Sequence, residues 1–165
     1  MQARRLRAAD AQGWKTLRLE ALATYPNAFL TTHAEAAATP LARVAERLEA
    51  GHTYGAFAAS GMLGIASLIP QTRTQTRHRA EIGAFFVQPK AQGAGAADAL
   101  MHALIAAGSA LGVWQFELFV AQDNARAIAF YRRHGFAKAG RMPNATYDCN
   151  GAVHDLIMVR SAPPA

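Results

Sequence analysis

Six consecutive residues, Gln92-Gly93-Ala94-Gly95-Ala96-Ala97, follow an apolar strand pattern and Pro89 and open an alanine- and leucine-rich helix pattern. Gly93 and Gly95 carry no side chain to fend off a ligand, so backbone N–H groups can converge on an anion where the helix starts. The helix macrodipole adds about half a positive charge there. This is chemistry for holding a phosphate. A Rossmann turn would need Gly-x-Gly-x-x-Gly and a P-loop would need Gly-Lys-Ser/Thr, and the segment has neither. The residues alone therefore specify a phosphorylated ligand of open identity.

Other reactive side chains are less organised. Cys149 is the single cysteine, so it cannot form an internal disulfide, and no histidine arrangement around it would activate the thiol. His33, His52, His102 and His154 lack the spacing of a metal site, so no metal is expected. Arg73, Arg77, His78 and Arg79 form a basic loop without interleaved aromatics, which argues against a nucleic-acid partner. Lys90, Arg126, Arg132 and Arg133 are spaced to let one of them meet a ligand phosphate.

The elements that must position the glycine turn can be read from pattern. Ala3–Arg7 reads as an edge strand, and Asp10 is placed to cap a helix to about Ala23, stopped by Pro26. After a looser Asn27–Ala38, Thr39-Pro40 introduces a second helix to about Ala50. Thr53–Ala59 and Met62–Pro70 form a hairpin about Ser60-Gly61. Ala80–Val87 is a strand, Gly95–Leu111 a helix closed by Gly112, and Trp114–Val120 a strand. Asp123 or Asn124 caps a helix to His134, and Phe136–Gly140 and Val153–Arg160 are the last strands. Alternating strands and helices with hairpins at both ends imply a mixed α/β sheet.

Composition sets the bounds. A chain of 165 residues is expected to be one domain over residues 1–160, with a frayed tail over 161–165. No apolar run approaches the roughly 20 residues that span a bilayer, so no membrane partner is expected. The basic start Met1–Arg7 leads into a polar pattern and not an apolar signal core, which makes cytoplasmic residence the expectation. The net charge of +6 suits an anionic ligand without identifying one.

A second stretch, Asn124-Ala125-Arg126-Ala127-Ile128-Ala129-Phe130-Tyr131-Arg132-Arg133-His134-Gly135-Phe136, changes the weight of the first. Together they resemble the GNAT superfamily of N-acetyltransferases. Gln92, Gly95 and Ala97 meet its Gln/Arg-x-x-Gly-x-Gly/Ala signature, and the second stretch meets Asn-x-x-Ala-x-x-Phe-Tyr-x-x-x-Gly-Phe at every fixed position. The resemblance implies a mixed, mostly antiparallel central sheet flanked by helices, with a V-shaped splay between the two central parallel strands, Ala80–Val87 and Trp114–Val120. It implies acetyl-CoA as co-substrate, with its pyrophosphate on Gln92, Gly93, Ala94, Gly95, Ala96 and Ala97. The pantetheine arm would pair with strand backbone at Phe85 and Val87 and be held by Asn124. Tyr131 matches the family's general acid, and Phe130 beside it reads as core.

For the base, Glu81 stands at the start of the cofactor strand, where some family members carry theirs. By period-two alternation it shares a face with Gly83, Phe85 and Val87. The competing reading is a strand-end carboxylate answering Arg77 and Arg79. Acceptor specificity is expected from Tyr25–Thr39 and from the loop Arg141–Ala152, with Tyr25, Phe29, His33, Tyr147 and Asp148. The run Leu17–Leu22 followed by Tyr25–Phe29 looks like GNAT proteins acting on amino acids or related small amines.

The function expected is acetyl transfer to a primary amine, on a small molecule or a peptide, by direct attack; a homodimer is common in such families. Two other classes stay in view. A non-catalytic coenzyme-A-binding regulatory module would keep the cradle, although Tyr131 and Glu81 argue against it. A basic nucleic-acid-binding domain would want the aromatic stripe that is missing.

Overall fold

The structure, a computed structural model, describes residues 1–148 and 151–163. Among them seven strands form one sheet in the order β1-β2-β3-β4-β5-β7-β6. The strands are β1 (Gln2–Arg5), β2 (His52–Ala58), β3 (Gly61–Pro70), β4 (Arg79–Val87), β5 (Gln115–Ala121), β6 (Ala137–Asp148) and β7 (Gly151–Ser161). All neighbours are antiparallel except β4 and β5. The helices are α1 (Ala11–Thr24), α2 (His33–Ala38), α3 (Leu41–Ala50), α4 (Ala96–Ala110) and α5 (Ala125–Arg133). This is the mixed, mostly antiparallel α/β architecture that the sequence resemblance implies.

The sheet buries both faces unequally. Leu100, Met101 and Leu104 of α4 and Ile128 and Tyr131 of α5 pack on one face with Leu68, Ala80, Ile82, Phe116, Leu118 and Met158. Leu17 and Ala21 of α1 and Val44 and Leu48 of α3 pack on the other with Leu6, Ile65 and Phe86. Apolar side chains alternating along the strands supply both faces, which is the ordinary consequence of period-two geometry.

Three local details differ from the sequence reading. Between β1 and β2 there are three helices, not two, because Thr32 and Glu35 close a capping box that starts α2. The Glu35 amide donates to Thr32 Oγ1 at 3.2 Å, and the Thr32 amide donates to Glu35 Oε2 at 2.8 Å. Pro40, not Thr39, takes the cap position of α3. Asp10 precedes α1 without capping it; its carboxylate instead receives Arg4 at 2.8 Å and the Arg7 amide at 2.9 Å.

The long loop expected at Arg141–Ala152 is mostly strand. Register shifts between Lys138 and Gly140 and between Met142 and Thr146 absorb the turn-forming Pro143-Asn144 as a bulge. Asn144 takes a positive φ of 51° and donates its amide to His154 Nδ1 at 2.9 Å. Tyr147 is exposed on β6. Cys149 and the side chain of Asp148 lie outside the described residues. At the other end β7 runs through Ser161, and the Ala162 amide donates to the Trp114 carbonyl.

Candidate active site

The parallel pair β4 and β5 carries the feature from which the site is built. The two strands pair only at Arg79 with Gln115, Ala80 with Phe116 and Glu81 with Glu117, although β4 continues to Val87 and β5 to Ala121. Beyond Glu81 they part, leaving backbone N–H and C=O groups of both strands unpaired inside the sheet. Such groups demand partners, and an extended, amide-bearing ligand supplies them as an added strand would.

A β-bulge turns β4 at the same place. Ile65 opposes Phe86 and Ser67 opposes Gly83, so one residue of β3, Ala66, faces two of β4, Ala84 and Phe85, and Ala84 sits at φ +50°. The alternation therefore inverts. Ala80 and Ile82 share a core cluster with Val87, whereas Phe86 packs in the opposite cluster beneath α1 and α3. This corrects the sequence expectation: Glu81 and Gly83 share a face, but Phe85 and Val87 point to the other one. An extra residue cannot be seen in a strand pattern, because it leaves the apolar composition unchanged.

At the end of β4, Pro89–Ala91 makes one 3-10 turn and the chain enters α4 through Gly93 and Gly95, both at φ +83°. A Cβ at either position would meet nothing within 4 Å. The space above both glycines is thus open, and the conformation is one that side-chain-bearing residues avoid. The first helical bond runs from the Ala99 amide to the Gly95 carbonyl at 3.0 Å, so the amides before it at the start of α4 lack helical acceptors. Gln92 holds the turn in place. Its Nε2 donates to the Val87 carbonyl at 3.3 Å and its Oε1 accepts from Arg126 Nη1 of α5. Both ends of that side chain are occupied by protein, so Gln92 supports the cradle and brings Arg126 to its rim. Asn124 caps α5, accepting the Ala127 amide at 3.1 Å through its side-chain oxygen. Its side-chain nitrogen stays available to a ligand.

Tyr131 lies on the α5 side of the sheet. The residue is 8% exposed, and its ring is held edge-on by Phe85 at 6.2 Å and by Phe136 at 6.0 Å. Burial pushes the phenol well above its ordinary pKa and keeps it protonated. Phe130 is partly buried against the same cluster and packs on Phe85, ring centres 5.6 Å apart and planes tilted by 56°.

Glu81 faces the opposite side. Burial raises its carboxyl pKa first, and the nearby Glu117 charge raises it further. The sequence offered Arg79 as a bland partner, but Arg79 grips Glu117 instead, through Nε and with Nη2 at 2.8 Å from Oε2. Among the described residues Glu81 forms no ion pair, and glycine at position 83 leaves room beside its carboxylate. Two further residues of this face escaped the sequence reading. Glu117 was legible only as a charge among alternating apolar residues, and Asp155 of β7, aligned with Ala121 and Met142, is a partly buried carboxylate whose pKa burial raises. Glu117→Gln should remove a like charge from Glu81 and release Arg79 toward it. The pKa of Glu81 then falls, and any pH profile governed by its ionisation moves its acid limb to lower pH.

No group of three or more His, Cys, Asp or Glu is placed to hold a metal ion among the described residues, and none of their helices is long and apolar enough to cross a membrane.

The acetyltransferase (GNAT) family model matches residues 14–136. A ribosomal-protein-alanine N-acetyltransferase from Brucella melitensis superposes with a TM-score of 0.82 at 20% identity, covering 98% of this chain and 100% of its own. A Salmonella typhimurium structure with its cofactor acetyl-CoA superposes with a TM-score of 0.78 at 19% identity, over 100% of this chain and 98% of its own. The ribosomal-protein-S18-alanine N-acetyltransferase of Escherichia coli gives 0.73 at 21% identity, over 99% and 95%. No curated protein matches the sequence significantly.

Proposed function

Because the chain belongs to the acetyltransferase (GNAT) family, we propose that it transfers acetyl from acetyl-CoA directly to the nitrogen of a primary amine. The observation that carries this reading is the parting of β4 and β5 beyond Glu81, with the open glycine turn at its far end and Tyr131 and Glu81 on opposite faces of the sheet. The turn has the donors and the vacant space a pyrophosphate needs. Gly93, Ala94, Gly95, Ala96 and Ala97 would hold it, supported by Gln92. The unpaired edge at Phe85 and Val87, with the free nitrogen of Asn124, would hold the pantetheine arm.

Acetyl-CoA, as donor substrate, supplies a thioester whose C–S bond breaks as the C–N bond to the amine forms. The protein's part is to place and move protons. Glu81 takes the proton lost by the attacking nitrogen, through one water, and its raised pKa makes it a better base than an ordinary glutamate. Tyr131, kept protonated by burial, donates to the departing sulfur. Backbone N–H groups exposed where β4 leaves β5 meet the charge that develops on the carbonyl oxygen.

The test is release of free thiol from acetyl-CoA across a panel of amino acids, polyamines and peptide N-termini, with the acetylated product identified by mass. Binding of acetyl-CoA without thiol release from any amine would favour a regulatory module instead. Glu81→Gln should lower kcat by about 10²-fold and abolish the acid limb of the pH profile. An unchanged acid limb would assign the proton to another group.

A further inference from the structure

Arg18 of α1 is a charged side chain that the proposed chemistry does not use. It is 8% exposed, and its Nη1 is fully buried without a hydrogen-bond partner. Among the described residues no carboxylate pairs with it, and desolvation alone acts on its pKa, pulling it downward. Its guanidinium carbon lies 4.4 Å from the Phe29 ring centre. Stacking of that kind uses the flat face of the group and leaves the in-plane N–H donors unmet. A buried charge without a counter-charge is among the costliest features a fold carries, which calls for an anion that arrives from outside. Nη1 is sealed, while the residue as a whole keeps 8% of its surface exposed.

Helix geometry says which way the group lies. Successive residues turn about 100° round an α-helix, so Arg18 and Glu20 emerge on nearly opposite edges of α1. Glu20 accepts from Gln88 Nε2 at 2.6 Å, at the end of β4 next to the glycine turn. Arg18 therefore lies on the edge turned away from Gln88, against Phe29 in the segment that leads to α2. On the same face of the sheet β4 carries Glu81, also without an ion-pair partner among the described residues. An unpaired cation and an unpaired carboxylate on one face of the sheet are complementary to a zwitterion.

We propose that the acceptor is an amino-acid-like amine and that Arg18 receives its carboxylate, directing its amine toward the Glu81 side. This rests on the amine-transfer reading and names the acceptor class within it. The experiment reads binding, so it does not depend on turnover. The protein saturated with coenzyme A is titrated calorimetrically with the L-amino acids, each beside its own α-amide. At least one acid should bind tenfold or more tightly than its amide. The preference should fall in Arg18→Lys, which keeps the charge but not the planar fork, and fall further in Arg18→Gln, with folding checked by circular dichroism. Absence of binding, equal affinity for every acid and amide, or an undiminished preference in either folded variant would overturn the proposal. Failure of the amine-transfer reading shows separately, as no thiol released from acetyl-CoA with any amine.

Discussion

Tyr131→Phe is expected to lower kcat by about 10² to 10⁴-fold while the KM for acetyl-CoA changes little. The substitution removes one oxygen from a ring whose packing against Phe85 and Phe136 is otherwise kept, so fold and cofactor seat should survive. What is lost is a donor. Within the buried cluster of α4 and α5 the phenol stays protonated at any ordinary pH, so it is ready to donate when negative charge develops on the sulfur. The measurement is steady-state kinetics with a good acceptor, together with acetyl-CoA affinity by calorimetry. Unchanged turnover would remove Tyr131 from the mechanism; a large loss of cofactor affinity would recast it as a binding residue.

Gly95→Glu is expected to abolish acetyl-CoA binding, with a loss of at least about 100-fold, or roughly 2.8 kcal/mol. Nothing in the folded protein occupies the space a Cβ would enter, so a side chain there is not a packing defect. It stands in the cradle and brings a negative charge to the place where amides and helix dipole favour an anion. The backbone cost of a side chain at φ +83° is about 1–2 kcal/mol, which should lower the melting temperature by about 2–8 °C. Gly95→Ala carries that same backbone cost with a methyl group and no charge, and should lose far less affinity. Calorimetric titration of both variants separates the two effects. Normal affinity in Gly95→Glu would remove the turn from the cofactor site.

The residues made much of this visible in advance. The glycine turn, the capping of α5 by Asn124 and the stop of α4 at Gly112 are local, because cap and turn chemistry involves residues within one helical turn of each other. The capping box at Thr32 and Glu35 was equally local and could have been found as Thr-x-x-Glu. The loop expected at Arg141–Ala152 failed for a physical reason, which Pro143-Asn144 illustrates. Turn-forming residues fit a bulge as well as a loop, and only pairing with β7 decided between them.

Sequence by itself determined the alternation of elements, the anion-holding turn and the second stretch that joined it to one family, since each depends on neighbours along the chain. Tertiary structure decided the rest. The bulge at Ala84 put Glu81 and Phe85 on opposite faces, a consequence of one unpaired residue between β3 and β4. It also gave Arg79 to Glu117, so that Glu81 lost its bland partner and kept a raised pKa. And the packing of α1 enclosed Arg18 without a counter-charge among the described residues. Which face a strand residue takes and which acid an arginine meets depend on pairing between segments far apart in the chain, and that pairing exists only once the sheet has formed.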